Sequence, residues 1–376
     1  MPPRVRHVPF VQRRTAAWLA ALPWLGPGLA RVESSAVHDA IEATPARSPV
    51  WICGMARSGS TILLELLDAL PTFASHHYSD YPWLWTPYWR HCLRAALAPK
   101  PTVPRERAHR DRILVTADSP EAFEEVFWMH FFAGRHDPAR SQVLDADTRH
   151  PTFERFFDEH QRKLVAVRGA RRYLAKANYH LPRIGYLRRL HADARFLIPL
   201  REPVAQVASL VRQDVLFTRL DAEDPAVAAH LARVGHFEFG PQKRALNSGD
   251  AEATQAIAAC FDRGDVAQGY AHQWVAQYAY ALDRMQHDAA LANACLWVEH
   301  DRLCAHPVSN LESIAAHLAL DETDARRLVH AGRARLRSED HADAPFDAAT
   351  RRSIEQITAP LWRRLQAWIE RGNAPD

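Results

Sequence analysis

Residues 50–67 read Val-Trp-Ile-Cys-Gly-Met-Ala-Arg-Ser-Gly-Ser-Thr-Ile-Leu-Leu-Glu-Leu-Leu. The first four residues are typical of a short buried strand, and the pattern from Thr61 onward is typical of a helix. Between them lies a turn with the spacing Gly54-x-x-x-x-Gly59-Ser60-Thr61. A strand, a glycine turn and a helix in this order predict a phosphate-binding loop, because backbone N–H groups and the helix N-terminus together attract an anion.

The loop differs from that of ATP-hydrolysing enzymes at one position. Ser60 stands where such loops carry the lysine that reaches the β- and γ-phosphates. Arg57 supplies a cation instead, and its planar guanidinium suits phosphate or sulfate. The loop therefore predicts an anion site that does not serve ATP hydrolysis. A tight turn without a ligand is the alternative interpretation.

The surrounding chain alternates strand and helix patterns. Further strands are predicted at residues 72–76, 163–167, 173–177, 195–200 and 295–298, and helical patterns dominate residues 119–161. This alternation predicts an α/β fold, a P-loop-like central parallel sheet with helices on both faces. Ligands of such sheets bind beyond the carboxyl ends of the strands. The chemistry is therefore expected just after Cys53, His76, Ala177, Leu200 and Val298.

Length and composition suggest one large domain with additions. The 376 residues are 47% hydrophobic, enough for a large core. Residues 1–48 read as a partly helical N-terminal extension. Residues 49–376 are predicted to form a single domain with helical inserts at about 100–162 and 221–262 and a helical C-terminal region.

Charge and cysteine content narrow the class of protein. The formal net charge of +3 is close to balanced, so no nucleic-acid partner is expected. The five cysteines form no C-x-x-C pair, which disfavours a disulfide framework or a zinc site and indicates a reducing, cytoplasmic setting. The N-terminal segment predicts an amphipathic helix, a candidate for peripheral membrane contact, with an export signal after Arg13-Arg14 as the weaker alternative.

A second anion site is predicted at the end of the strand at residues 195–200. Arg201 follows that strand, Pro203 suits the first turn of the next helix, and Ser209 lies two turns into it. Arg201 and Ser209 can therefore meet on one face and grip an anionic group. Alternatively, Arg201 caps the sheet through Glu202 or another carboxylate, and Ser209 is a small packing residue within the helix.

Together the two segments resemble the cofactor signatures of the sulfotransferases that use 3′-phosphoadenosine 5′-phosphosulfate (PAPS). The bacterial and Golgi-type members are the most similar. Weaker similarities occur at residues 173–182 and 298–307, although Ala177, Asn178 and His300 depart from the usual pattern. The resemblance implies that the first loop binds the 5′-phosphosulfate through Arg57, Ser58, Gly59, Ser60 and Thr61. It also implies that Arg201 and Ser209 bind the 3′-phosphate.

The resemblance implies transfer of a sulfuryl group from PAPS to a hydroxyl or amine of a small-molecule or glycan acceptor. No metal is expected. Lys176 would contact the sulfuryl group. The base that takes the acceptor's proton remains open between Asp80, His180 and His77. Asp80 could instead cap a helix, and the histidines could be ordinary buried residues.

Two further segments have open roles. The aromatic residues 81–89 could stack on an acceptor or could fill the core. The basic residues 331–337 could close over a phosphate or end a solvated helix.

A P-loop-type kinase and a non-enzymatic anion-binding protein are the competing interpretations of the whole chain.

Overall fold

The computed structural model describes residues 10–97, 103–110, 113–337 and 346–372. The strands are β1 (Val50–Cys53), β2 (Phe73–Ala74), β3 (Arg105–Glu106), β4 (Leu114–Val115), β5 (Arg172–Ala177), β6 (Arg195–Leu200) and β7 (Cys295–Glu299). The helices are α1 (Phe10–Ala21), α2 (Leu25–Ala36), α3 (His38–Glu42), α4 (Ser60–Asp68), α5 (Pro87–Ala96), α6 (Glu125–Phe131), α7 (Pro151–Arg168), α8 (Ile184–Leu190), α9 (Pro203–Glu223), α10 (Ala226–Val234), α11 (Ala251–Asp262), α12 (Val266–Gln286), α13 (Ala289–Ala294), α14 (His300–Ala305), α15 (Pro307–His317), α16 (Glu322–Arg335) and α17 (Ala348–Glu370).

The central sheet has five parallel strands in the order β2-β5-β1-β6-β7. Ile52 of β1 pairs with Lys176 on one side and with Leu197 on the other. β3 and β4 form a separate antiparallel pair. The predicted α/β fold with a parallel sheet is confirmed, and β1, which carries the glycine loop, lies at the centre of the sheet.

Alternate residues of β1 enter different cores because successive side chains of a strand point to opposite faces. Val50 and Ile52 pack in one core with leucines of α4 and residues of α15 and α16. Trp51 and Cys53 pack in the other with α7, α12 and α17. Both faces of the sheet are therefore covered by helices, which explains why the strand is apolar throughout.

The N-terminal extension is helical and packs on the domain. Glu33 of α2 forms an ion pair of 2.9 Å with Lys163 of α7, and both side chains are fully buried. A Cβ at Gly26 would lie 2.6 Å from the Trp85 ring, so α2 approaches this aromatic side chain closely. Among the described helices, none is long and apolar enough to cross a membrane.

Three local predictions were wrong. Residues 163–167 belong to helix α7, which ends at Gly169 in the left-handed conformation (φ 63°) rather than containing a strand. Phe153, Phe157 and Leu164 are fully buried at helical spacing. The apolar run at residues 163–167 resembles a buried strand, so the helical pattern was not recognised there. In addition, within the described part of the two predicted inserts, residues 132–150 and 235–250 are not helical, so the inserts are only partly helical.

Candidate active site

The glycine loop joins β1 to α4 through two left-handed residues. Arg57 has φ 68° and Gly59 has φ 94°. A Cβ at Gly59 would lie 2.5 Å from His300 Nδ1, so this position requires glycine for both space and conformation. The buried Ser58 hydroxyl donates a hydrogen bond of 2.7 Å to the Met55 carbonyl. The Ser58 side chain therefore stabilises the loop from within.

The two predicted anion segments meet in the structure. Arg57 Nε donates a hydrogen bond of 3.0 Å to Ser209 Oγ, which links the glycine loop to α9. Arg201 is buried at the end of β6. Glu202 accepts hydrogen bonds from Val204 N (3.1 Å) and Ala205 N (2.7 Å), so its carboxylate caps α9. The structure thus brings Arg57, Arg201 and Ser209 to one place, as predicted.

A cleft of about 1110 Å³ opens at this edge of the sheet. Of the described residues that line it, one is a carboxylate, Glu65, which accepts a hydrogen bond from Arg335. The other charged lining residues, apart from histidines, are arginines: Arg57, Arg107, Arg110, Arg201, Arg212, Arg335 and Arg337. A cleft with one sign of charge attracts ligands of the opposite sign. The cleft is therefore suited to a polyanion.

A smaller pocket adjoins the cleft. The two share Arg57, Ser60, Thr61, Arg107 and His109. The rest of the small pocket is lined by Ala56, Glu121, Lys176, Asn178, Phe217, Leu231, His236, Glu238 and Phe239. The glycine loop thus separates an arginine-rich cleft from a pocket that holds carboxylates and aromatic rings.

Lys176 lines the small pocket and contacts Thr61, which lines both spaces. Its Nζ donates a hydrogen bond of 3.2 Å to Thr61 Oγ1, and Arg107 donates one of 3.4 Å to the same oxygen. Burial lowers the pKa of the Lys176 ammonium, and the nearby Glu121 carboxylate opposes this shift only in part. The loop hydroxyl, the lysine and Arg107 therefore form one cationic cluster.

Glu121 is a candidate base that the sequence did not reveal. Its carboxylate accepts a hydrogen bond from the Tyr78 hydroxyl, and its backbone N–H donates to the His76 carbonyl over 2.8 Å. Burial acts to raise the pKa of Glu121, but Lys176 and other nearby positive charges outweigh burial and lower it to about 2. The carboxylate is therefore ionised at neutral pH.

Glu238 is the second carboxylate that the sequence did not reveal. It accepts hydrogen bonds from Asn178 Nδ2 and, at 3.3 Å, from His236 Nδ1. Burial acts to raise its pKa, but His236 outweighs burial and lowers it to about 2. Its segment between Gly235 and Gly240 was predicted as part of a helical insert, and no local motif distinguished it.

Asp80 and His77 lie outside the residues that line either pocket. The buried Asp80 carboxylate accepts hydrogen bonds of 3.0 and 2.8 Å from Arg168, and the His77 ring lies 3.2 Å from Asp68. Burial acts to raise the pKa of Asp80, but His76 and Arg168 outweigh it and hold the pKa well below its usual range. A base role for either residue stays a prediction, and these contacts give both a structural role.

His180 is fully buried beside Glu124 in the aromatic core. Its Nε2 lies 2.7 Å from Glu124 Oε2, and the same carboxylate accepts hydrogen bonds from Trp51 Nε1 (3.2 Å) and the Tyr173 hydroxyl (2.6 Å). His180 does not line either pocket. Its base role stays a prediction. Lys176 lines the small pocket, whereas His180 packs against Glu124 and Trp128 in the core.

The two segments with open roles differ in position. Trp85 packs against Phe127, Phe156 and neighbouring rings, and residues 81–89 do not line the pockets. Arg335 and Arg337 of the late basic stretch do line the arginine cleft. Among the described residues there is no group of three or more histidines, cysteines or acidic residues that could hold a metal ion.

The chain belongs to the sulfotransferase family. The model of this family, described as "Sulfotransferase family", matches residues 49–238, just over half of the chain. The matched part contains the glycine loop, Lys176, Arg201 and Ser209. No curated protein sequence matches the chain.

Several solved structures are distantly similar. Sulfotransferase STF9 from Mycobacterium avium is 12% identical, with 88% of this chain and 81% of that chain covered and a TM-score of 0.49. Sulfotransferase STF1 from Mycobacterium tuberculosis H37Rv is 14% identical, with 88% and 81% covered and a TM-score of 0.45. A sulfotransferase from Alicyclobacillus acidocaldarius is 17% identical, with 87% and 97% covered and a TM-score of 0.43. The fold is defined by the strand order described above rather than by these distant similarities.

Proposed function

We propose that this sulfotransferase moves a sulfuryl group from PAPS to a hydroxyl or amine of a small acceptor. The observation that carries the proposal is the arginine-lined cleft at the carboxyl ends of the strands, joined through the glycine loop to a smaller, partly acidic pocket. The cleft has the charge that a donor with phosphate and sulfate groups requires.

The residues of the cleft are suited to such a donor. Arg57 and Gly59 form a left-handed turn at the N-terminus of α4, a backbone arrangement that favours anions. Arg201 and Ser209 would hold the second anionic group, the 3′-phosphate. Arg335 and Arg337 line the same cleft and would add positive charge to the donor site. When bound, the donor supplies an activated sulfuryl group.

Three side chains would carry the chemistry of this chain. Lys176 and Arg107, both hydrogen-bonded to Thr61, concentrate positive charge where negative charge would build up on the sulfuryl oxygens. Glu121 lies in the same pocket as Lys176 and is ionised, so it would accept the proton of the acceptor. Its pKa of about 2 is set by Lys176 and other nearby positive charges, and a bound anionic donor would partly neutralise them and make the carboxylate more basic. Tyr78 holds the Glu121 carboxylate in place through its hydrogen bond.

Calorimetry with 3′-phosphoadenosine 5′-phosphate (PAP), the product of the donor, tests the proposal. PAP should bind without magnesium, and Arg201→Ala should weaken binding by about 10-fold or more, the usual loss for a hydrogen bond to a charged group. Arg352→Ala is the matched control, because Arg352 is exposed on α17 and does not line the cleft.

Transfer of labelled sulfate from PAPS to cell-extract fractions completes the test. Labelled product that disappears in Arg201→Ala but not in Arg352→Ala supports the function. Absence of PAP binding contradicts the donor assignment. PAP binding without transfer to any fraction favours an anion-binding protein, and magnesium-dependent ATP consumption favours a kinase.

A further inference from the structure

The small pocket holds two buried hydrogen-bond acceptors that the protein leaves unused. Within the described part of the chain, neither Asn178 Oδ1 nor Glu238 Oε2 has a hydrogen-bond partner within 3.5 Å, although both residues are only 8% exposed. The Tyr179 hydroxyl, which accepts a hydrogen bond of 2.8 Å from Phe237 N, also interacts with the Glu238 carboxylate and leaves it room for a further donor. Both residues line the pocket that contains Lys176 and Glu121. A buried acceptor without a donor costs free energy. This cost is recovered if a ligand supplies the donor.

The orientation of these two acceptors is fixed by their neighbours. The other oxygen of Glu238, Oε1, accepts a hydrogen bond from Asn178 Nδ2 and lies 3.3 Å from His236 Nδ1. Asn178 Nδ2 and Glu238 Oε1 are therefore already hydrogen-bonded within the protein. The Glu238 carbonyl accepts a hydrogen bond of 2.7 Å from the Tyr270 hydroxyl, and Gly240 N donates one of 2.8 Å to Asp214. The segment is therefore pinned to α9 and α12, and the free oxygen is presented by a rigid support.

The remaining walls of the pocket are apolar. Phe217 and Phe239 stack with ring centroids 5.7 Å apart, and Leu231 lines the same space. The space is small, about 40 Å³, so only one end of an acceptor would enter it, and walls of this kind favour an apolar group over a second anion. The acidic group Glu238 would also repel an acceptor that carries a carboxylate.

We propose that Glu238 and Asn178 select acceptors that carry a hydrogen-bond-donating group, an ammonium or a hydroxyl, in addition to the group that is sulfated. This inference rests on the proposed sulfuryl transfer and adds the class of acceptor. Acceptors without the additional donor leave the two buried oxygens unpaired. Acceptors that place a carboxylate beside these oxygens are repelled by the ionised Glu238.

Four phenols of similar size separate these classes. 4-(2-Aminoethyl)phenol carries an ammonium, 4-(2-hydroxyethyl)phenol a hydroxyl, 4-ethylphenol no donor, and 4-hydroxyphenylacetate a carboxylate. Binding of each phenol to the complex with PAP is measured by calorimetry, and transfer from PAPS gives kcat/KM. The first two should exceed the last two by about 100-fold in kcat/KM, because a site built for a polar group strongly rejects analogues that lack it.

Glu238→Gln and Asn178→Leu locate the effect. Glu238→Gln should remove most of the advantage of the ammonium and less of that of the hydroxyl, and Asn178→Leu should reduce both. Glu355→Gln on the exposed face of α17 is the matched control. Thermal unfolding and PAP affinity show that each variant folds, because neither Glu238 nor Asn178 lines the donor cleft.

The outcomes separate the inference from the function on which it rests. Failure of PAP to bind the unmodified protein overturns the proposed function. Intact PAP binding with equal behaviour of the four phenols, including no binding by any of them, overturns the acceptor inference alone. A preference for 4-ethylphenol or the carboxylate overturns it as well.

Discussion

Arg57 Nε donates a hydrogen bond to Ser209 Oγ over 3.0 Å, although the two residues lie 152 positions apart. The contact joins the loop after the central strand to the helix after its neighbour. In the proposed function it also joins the two parts of the donor site. Each partner therefore positions the other before any ligand arrives, and several consequences can be measured.

Ser209→Ala should weaken PAP binding by about 10-fold, because the ligand loses a hydroxyl donor and Arg57 loses its fixed partner. Calorimetry measures the affinity. Ser313→Ala on the exposed face of α15 should leave it unchanged. Equal affinity of Ser209→Ala and the unmodified protein would show that Ser209 only packs.

Lys176→Met should lower kcat by about 100- to 1000-fold, the usual effect of removing one group that stabilises transition-state charge. PAP affinity should change much less. Lys176→Arg should restore part of the rate, because it keeps the charge. A loss of affinity as large as the loss of rate would contradict a role in the chemical step.

The pH profile of the unmodified enzyme reports on the same lysine. Burial lowers the pKa of Lys176, so its cationic form is lost as pH rises through a value below that of an ordinary lysine. The rate should therefore fall on the alkaline side at lower pH than exposed lysines titrate. Disappearance of this limb in Lys176→Arg, whose guanidinium stays charged, checks the assignment; its persistence would assign the limb to another group.

Glu121→Gln and Asp80→Asn should behave differently. Glu121→Gln should lower kcat by about 100-fold or more with little change in PAP affinity, because it removes the proposed base. Asp80→Asn should instead lower the free energy of unfolding by about 3 kcal/mol, because it leaves Arg168 without its buried partner. Steady-state kinetics and urea unfolding of both variants provide the comparison. A large loss of kcat in Asp80→Asn together with a loss of stability but not of kcat in Glu121→Gln would instead identify Asp80 as the base.

The buried pair of Glu33 and Lys163 should hold the N-terminal helices on the domain. Glu33→Gln leaves a fully buried ammonium unpaired and should lower the free energy of unfolding by about 3–5 kcal/mol. Glu33→Leu combined with Lys163→Met should recover much of that loss, since neither charge remains. Urea unfolding measures both, and kcat of the folded fraction should stay unchanged, because neither residue lines a pocket.

The sequence alone was sufficient for the fold class and for the family. Gly54, Gly59 and Ser60 lie within one short segment at the spacing of a phosphate-binding loop. Arg201 and Ser209 lie eight residues apart in a second short segment. Local spacing therefore revealed both segments. The parallel order of the strands then required the two segments to meet at one edge of the sheet, since the carboxyl ends of parallel strands lie together.

The acidic side of the site depended on tertiary structure. Glu121 and Glu238 lie in loops that no local pattern distinguishes. Tyr78 and Lys176 reach Glu121, and Asn178 reaches Glu238, from distant parts of the chain. The predicted base candidates were chosen by position in sequence, whereas burial beside Arg168 or Glu124 gave Asp80 and His180 structural partners. A short motif fixes backbone conformation and so can be read directly. The charge and hydrogen-bonding of a pocket are set by residues that meet only on folding. The sequence therefore determined the glycine loop, and only the tertiary structure decided which side chains face it.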